Sequence, residues 1–480
     1  MTVFDPIRGE EPSLEPPRGG YAKVDSIEPY VPDPADDWLL RMDVVDESDW
    51  HALPPGLTPL EARNRLKTYV LETEASQTGD RLRDLIQSLQ ESVERPYGAE
   101  AGRWWHLRFE PTSSRPQVQL FPNVFGDPLR LKLSDARPVD SGMSRRLDAT
   151  CGMDHLPDSS TAAIERALEQ VAQGITGVGV IDVGQGSAAA LLRDGVPVAY
   201  FDLGGGITTN RRTWPEDLRG LCLTANPVVI LSHWDMDHWA GHRRCRPFDT
   251  SRGAYDGQTW IVPRNPPGDR IGHSHAKFLD ELAHEGANVL VWPDGLTELR
   301  AGRVTVVKCD GHDRNNSGLA VLVDGRGTGH AVVLPGDARL VHVPGVRDPV
   351  RAIVAPHHGA RIEGDPITDD IMERAEFVVA SYGARNTYGH PHPRQARLWR
   401  HSEWRATADR SAPPGDRLGN VLIDIDGWSH TYPPCGRQGC SLEFRSVIRL
   451  GDPAHAAIRM FEAIARIAVA TMKRTLLYSG

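Results

Sequence analysis

From residue 176 onward the chain repeats one unit, an apolar β-branched run that stops at a glycine-rich or polar cluster. GVGVIDVGQG, VPVAYFDLGGG, VVILSHWDMDH, RVTVVKC, LAVLVDG, HAVVLPGDA, RAIVAPHHGA and AEFVVASYG follow in that order. Apolar runs that do not alternate with polar residues mark strands covered on both faces. Segments 275–286, 367–374 and 394–402 between some of them have helical character. The pattern predicts a body of buried strands over residues 176–450 whose ends carry reactive side chains.

The 175 residues before it read differently. Residues 1–55 are rich in Pro, Asp and Glu and lack periodicity, so the expectation is an extended or disordered segment. Residues 56–175 read as an accessory region of mixed helices and short strands. Thr58-Pro-Leu-Glu61 has the spacing of a capping box, 80–95 continues as an amphipathic helix, 103–132 alternates as short strands, and 159–174 is a helix with a Ser cap and a Gly stop. Residues 451–480 form a last amphipathic helix, with Ile458, Phe461, Ile464, Ala468 and Met472 on one face.

Charge and cysteine usage narrow the function classes. The formal net charge is −10, and residues 1–100 hold 21 acidic against 10 basic side chains, so the remainder is nearly neutral. A broad basic nucleic-acid footprint is absent. Arginine nevertheless outnumbers lysine 48 to 6, and Arg243, Arg244, Arg314, Arg361, Arg385 and Arg394 lie near the motif segments, where guanidinium suits phosphate. Six scattered cysteines suit reduced thiols; Cys435 and Cys440 read as a turn with two free thiols. No apolar stretch is long enough for a membrane helix, and the acidic, Pro-rich start is unlike a secretory signal. The expected location is the cytoplasm.

The sharpest local feature is Ser232-His233-Trp234-Asp235-Met236-Asp237-His238, directly after Val228–Leu231. Four N/O donors within six residues at a strand end are the material of a divalent-cation site. Asp337 ends one later run, His357 and His358 end another, and His312, Asn315 and Asn316 precede a further strand. A carboxylate buried at a strand end without a cation is costly. His390, in TYGHPHP, is a candidate to contact a phosphate or to protonate a leaving group; the alternative is a turn histidine between prolines. His273, His275 and His284 read as members of a solvated helix.

As an ordered set, these motifs resemble the metallo-β-lactamase superfamily, and within it the hydrolase domain of ComEC-type competence proteins. The residues that carry the resemblance are Asp182-Val-Gly-Gln-Gly186, Asp202-Leu-Gly204, HWDMDHWAG (233–241), Asn315-Asn-Ser317, Gly336-Asp337, His357-His-Gly-Ala360 and Asn386-Thr-Tyr-Gly-His-Pro391, spread over about 176–428. Ser187, Ala240 and Ala360 depart from the usual residues, but none of them removes a ligand. The ComEC-type membrane channel is missing, so DNA import is not implied.

The resemblance implies a four-layer αββα sandwich carrying a mixed N-terminal extension. It implies two divalent cations, Zn²⁺ or Mn²⁺: one held by His233, Asp235 and the His312 region, the other by Asp237, His238 and His357 or His358, with Asp337 bridging. Asp237 both ligates and orients a water, which with His390 makes the catalytic pair. Asn315, Asn316, Asn386 and His390 are the implied substrate contacts. The implied substrate is a phosphodiester, nucleic acid or nucleotide, with no membrane partner. Two other readings remain open: a hydrolase of the same fold acting on a lactone, thioester or β-lactam, and a component with a structural metal that binds a protein partner through residues 1–175.

Overall fold

The apolar runs form strands whose two faces are both covered, as continuous hydrophobicity requires. In a computed structural model, the described residues are 15–29, 38–74, 102–112, 117–153, 156–172, 174–218, 220–244, 257–265, 271–325, 330–346, 350–362, 366–399, 402–409, 419–426, 442, 444 and 446–450. The architecture is mixed α/β, with three sheets among the described residues. The helices expected at 80–95 and 451–480, and the turn containing Cys435 and Cys440, lie outside the described residues.

The first sheet is a closed antiparallel barrel, ordered β1-β2-β3-β5-β6-β4. Its strands are β1 (Gly19–Pro29), β2 (Trp38–Asp46), β3 (Thr68–Glu74), β4 (Trp104–Pro111), β5 (Val118–Phe121) and β6 (Leu129–Pro138). For residues 15–29 and 38–55 this replaces the expected extended or disordered segment with ordered structure, strands β1 and β2 among it, and it puts the boundary expected at residue 55 within one barrel; residues 1–14 and 30–37 lie outside the described residues. The reason is visible along β2. Leu40, Met42 and Val44 fill the barrel interior, while Arg41 and Asp43 alternate onto the outer face and are buried there by the rest of the molecule. In β1 the alternation is broken by a bulge between Val24 and Ser26. Ala22 and Val24 point inward before it and Ile27 after it, so the strand has no clean period of two. A bulge of this kind re-aims side chains, and here it places Asp25, Ser26 and Glu28 toward the body.

The body holds two sheets. One is ordered β12-β11-β10-β9-β8-β7-β20-β21, from β7 (Gly177–Val180), β8 (Ala188–Arg193), β9 (Val196–Leu203), β10 (Val228–Ile230), β11 (Thr259–Val262), β12 (Asn288–Val291), β20 (Val421–Asp424) and β21 (Ser446–Arg449). The other runs in sequence order from β13 (Glu298–Ala301) through β14 (Val304–Lys308), β15 (Leu319–Asp324), β16 (His330–Leu334), β17 (Ala352–Val354) and β18 (Phe377–Ala380) to β19 (Glu403–Ala406). One core cluster contains residues of both, among them Val180, Leu191, Phe201 and Ile230 with Val306, Val321, Val332 and Val379. The outer face of the eight-stranded sheet packs on the helix His273–His284 and on Val70, Phe121 and Val124 of the barrel side. The outer face of the seven-stranded sheet packs on Met372 and Trp399, and helices Pro366–Arg374 and Pro393–Leu398 flank it.

The helix His273–His284 is solvated only at its C-terminal end, where His284 is exposed as expected. His273 and His275 are fully buried, because the barrel covers this helix. Its N-cap is Gly272, which has no side chain to cap with. Asp43 of β2 does the capping instead, accepting from Ser274 N at 2.6 Å and from Ser274 Oγ at 2.9 Å. A carboxylate at a helix N-terminus also complements the helix dipole. Further along, Lys277 Nζ donates to Leu66 O, and Arg63 forks onto both oxygens of Asp280.

Candidate metal centre

Every centre-forming loop leaves the carboxyl end of a strand, where open α/β sheets place their ligand crevices. β10 leads to His233–His238, β16 to Asp337, β17 to His357 and His358, and β18 to Ser381 and the loop up to His390. Two glycines let these loops meet. A Cβ on Gly204 would sit 1.6 Å from Asp237 O, and Gly186, with φ +158°, approaches the same carbonyl. Asp237 O in turn accepts from Ser187 N and Gly205 N. The GQG and GGG clusters are therefore a matter of backbone clearance.

Four of the expected ligands converge on Asp337. His238 Nε2 lies 3.1 Å and His358 Nε2 3.8 Å from its Oδ1. His233 Nε2 and His357 Nε2 lie 3.6 and 3.4 Å from its Oδ2. Asp237 Oδ2 is 3.6 Å from His358 Nε2, and Asp235 Oδ2 is 3.4 Å from His233 Nε2. His233, His238 and Asp337 form one compact donor group, and Asp237, His238 and His358 another. Both histidines of the pair take part. Each sits in the left-handed region, His357 at φ 47° and His358 at φ 54°. Two successive non-glycine residues there cost on the order of 1–2 kcal/mol each.

Whether these residues fit a cation is tested by their ring nitrogens. The Nε2 atoms of His233, His238 and His358 are buried with no hydrogen bond of acceptable geometry. Their Nδ1 atoms are engaged. His358 Nδ1 donates to Ser381 O at 2.9 Å, and His238 Nδ1 to Asp202 Oδ2 at 2.7 Å. His233 Nδ1 lies 3.0 Å from Ser232 Oγ, which itself donates to Asp202. A proton held at Nδ1 leaves the Nε2 lone pair for a metal, and such carboxylate or carbonyl partners are the usual outer support of ligating histidines. The donor set fits a divalent cation.

Burial would raise the Asp337 carboxyl, but the imidazoles of His238, His357, His358 and His233 hold it well below the usual range. Burial opposes charge on His238 too, yet Asp337 and Asp202 raise its pKa well above that of free imidazole. Burial, helped by His357 and His358, pushes His390 well below it.

Several expected residues take other roles. His312 is exposed and falls outside the donor groups. The turn at 313–316 buries Arg314 in its place. Arg314 Nη1 donates to Asp235 Oδ1 at 2.8 Å and to Asp25 O at 2.8 Å. Asn316 is engaged locally, donating from Nδ2 to both carboxylate oxygens of Asp313 and accepting from Arg339 N at Oδ1. Asn315 is half-buried and does not line the central cavity. Asn386 is a staple, not a contact. Its Nδ2 donates to Gly383 O and His390 O, and its Oδ1 accepts from Tyr388 N and His390 N. The residue it positions, His390, does face the centre, with Nδ1 at 3.2 Å from Gln185 Nε2. His392 accepts from Arg394 N as the cap of the next helix.

Four residues of the site were not foreseen. A cavity of about 250 Å³, counting its mouth, is lined by Asp235, Asp237, Asp337, His357, His358 and His390, and also by Ser26, Glu28, Arg41 and Tyr388. Arg41 is buried, donates to Glu72 Oε1 from Nε and Nη2, and donates to Tyr388 Oη. Glu28 Oε1 lies 3.3 Å from His357 Nε2. Ser26, Glu28 and Arg41 come from barrel strands, in a segment whose composition concealed them. For Arg41 the alternation Leu40, Met42, Val44 was the available signal. For Glu28 the bulge removed it.

No protein-family profile and no curated protein matches this sequence.

Proposed function

We propose that the chain is a metal-dependent hydrolase of the metallo-β-lactamase fold, acting on a phosphodiester such as a nucleic acid or nucleotide. The observation that carries this reading is the set of buried, unpaired Nε2 atoms of His233, His238 and His358 turned toward one carboxylate, Asp337. The core shared by two sheets, with helices on their outer faces, supports the four-layer form of the fold. The motif order supports the ComEC-like resemblance.

Divalent cations held by such a donor set lower the pKa of a water and offset charge developing on a phosphoryl oxygen. The chain's own residues do the remainder. Asp337 lies among these imidazoles and would be the shared ligand if two ions, Zn²⁺ or Mn²⁺, were held. Asp237, held by its backbone carbonyl against two glycine-rich turns, is set to ligate and to orient a water. Arg41 and Tyr388 bring a guanidinium and a phenol to the cavity wall, donors suited to phosphate oxygens. His390 is held by Asn386 and Gln185 as a hydrogen-bonding wall residue. A cavity this polar fits a phosphodiester better than a lactone or thioester, whose sites favour apolar walls.

The test is metal analysis of the purified chain together with Mn²⁺- or Zn²⁺-stimulated cleavage of single- and double-stranded DNA, RNA and bis-p-nitrophenyl phosphate. Bound metal with turnover of at least one substrate, lost in Asp237→Ala by roughly a thousandfold or more, is the expected result. Turnover unchanged in Asp237→Ala would sink the mechanism; absence of bound metal would sink the centre.

A further inference from the structure

We propose that Arg41 of the barrel and Tyr388 of the body form a two-donor seat for a non-bridging phosphoryl oxygen, and that this seat selects phosphoryl over acyl substrates. This deepens the hydrolase reading and rests on it.

Arg41 lies on β2 and Tyr388 on the loop after β18, and both line the cavity with Asp237. They are 3% and 6% exposed. One edge of the guanidinium is committed to the fold. Nε and Nη2 donate to Glu72 Oε1 at 3.1 and 3.0 Å, and Nη2 also donates to Tyr388 Oη at 2.5 Å. Glu72 is fully buried and is held by the body, accepting from Thr208 Oγ1 and Thr209 N. The other edge is open. The Arg41 hydrogen bonds among the described residues all leave from Nε and Nη2. Asp25 Oδ2 stands 3.9 Å from Nη1, outside hydrogen-bond range.

The phenol is poised in the same way. Its oxygen accepts from Arg41, and its hydrogen has no acceptor among the described residues. Burial raises the Tyr388 phenol far above its usual value, so the hydroxyl keeps its proton and can donate. Asn386, which sets His390, also holds Tyr388 by its backbone N–H. The two nitrogens of a guanidinium fork are about 2.3 Å apart. Nη1 and the phenol oxygen therefore stand within about 5 Å of each other, and one anionic oxygen at about 2.8 Å from each can take both donors. The Asp237 carboxylate acts on both groups, so the seat and the candidate metal donors face one space.

That space is small. About 250 Å³, mouth included, is below the roughly 300 Å³ at which pockets begin to take a whole drug-sized ligand. It suits a single phosphoryl group with its nearest substituents. A phosphodiester has two non-bridging oxygens, one for a cation and one for the seat. A lactone or thioester has one carbonyl oxygen, so a cation would leave the seat empty. A site built to hydrogen-bond an oxygen rejects a substrate that lacks it, because its buried donors stay unpaired.

The experiment uses the full-length protein loaded with Mn²⁺ and inorganic phosphate as the probe, its affinity read from relaxation of the phosphorus nucleus by the bound ion. Tyr388→Phe removes one hydroxyl. Arg41→Lys keeps a charge beside Glu72 but loses the fork. Each is expected to weaken phosphate binding roughly tenfold to a hundredfold, the range for a hydrogen bond to a charged group. KM for bis-p-nitrophenyl phosphate should rise with it, while Mn²⁺ affinity keeps its wild-type value. Phosphate affinity unchanged in Tyr388→Phe would overturn the proposal, leaving Arg41 as the ion-pair partner of Glu72 while the hydrolase reading stands. An equal fall in Mn²⁺ affinity in both variants would also overturn it, since the pair would then act through the centre. Turnover of p-nitrophenyl acetate with none of the phosphodiester would remove the seat and the phosphodiester assignment together, leaving the metal centre. No Mn²⁺ or Zn²⁺ bound by the wild type would overturn the centre as well.

Discussion

At the scale of single residues, the centre depends on side chains that touch no substrate. Asp202 is fully buried, sits at φ 64°, and receives Ser232 N, Ser232 Oγ and His238 Nδ1. It fixes the tautomer of His238 and, through Ser232, steadies His233. Asp202→Asn puts an N–H where an acceptor is needed. Metal affinity should fall roughly tenfold to a hundredfold, measured by competition with a chromophoric chelator, while the metal-free protein remains folded. Unchanged affinity would mean that His238 does not ligate through Nε2. Asp202 was legible in the sequence as part of an Asp-x-Gly strand end, but its partner was not, since the hydrogen bond spans 36 positions.

At the scale of elements, the strands explain themselves and the loops need the fold. The runs VVIL, VTVVK, LAVLV, AVVL, AIV and FVVA become β10 and β14–β18, where their apolar side chains are buried on both faces. The loop after β10 meets the loop after β9 only because Gly204 has no side chain. Gly204→Ala would place a methyl 1.6 Å from the Asp237 carbonyl, so backbone must move. The expected cost is about 3 kcal/mol or more, together with loss of bound metal as Asp237 shifts. Gly295→Ala is the control: nothing lies within 4 Å of the added carbon, and stability should stay within about 0.5 kcal/mol. Thermal unfolding of the two variants side by side decides it; equal midpoints would mean that the glycine contact is slack.

At the scale of the whole molecule, the barrel and the body share their interior. Val70 and Phe121 belong to the same core cluster as Trp239 and Trp260, and Arg63, Asp43, Glu72 and Asp25 each bind a partner in the body. Denaturant unfolding should therefore be one transition. Hydrogen exchange on peptides from β1–β3 and from β14–β18 should report the same midpoint, and two separated midpoints would show that the barrel docks as an independent unit. The interface also carries a pH signature. Burial raises the Asp43 carboxyl to about 6, against the opposing pull of His275 and the Ser274 hydrogen bonds. A pKa raised on folding stabilises the folded state below the unfolded value near 4, and that contribution is lost as pH rises through about 6. Asp43→Asn, which retains an acceptor for Ser274 N, removes the cost of the buried charge. It should be more stable than wild type at pH 7, by roughly 3 kcal/mol at most, with the advantage gone by about pH 4. An advantage that does not change with pH would show that Asp43 is not the group responsible.

The runs that became β7, β9, β10 and β14–β18, and the strand-end positions of His233, Asp235, Asp237, His238 and Asp337, were legible in local pattern. Each is a strand or a strand end, and a run of apolar residues stopping at a ligand-type side chain shows itself within ten positions. Three things belonged to tertiary structure alone. Both histidines of the pair enter the centre because a left-handed backbone turns them to different sides of Asp337. Arg314, not His312, is buried against Asp235 because the turn at Asp313 selects which side chain goes inward. Barrel strands β1 and β2 bury charged groups whose partners lie far off in sequence, Asp25 with Arg314 across 289 positions among them. Pairing over that distance leaves no mark on local periodicity, which is why the residues that line the cavity from the barrel were visible only in the folded chain.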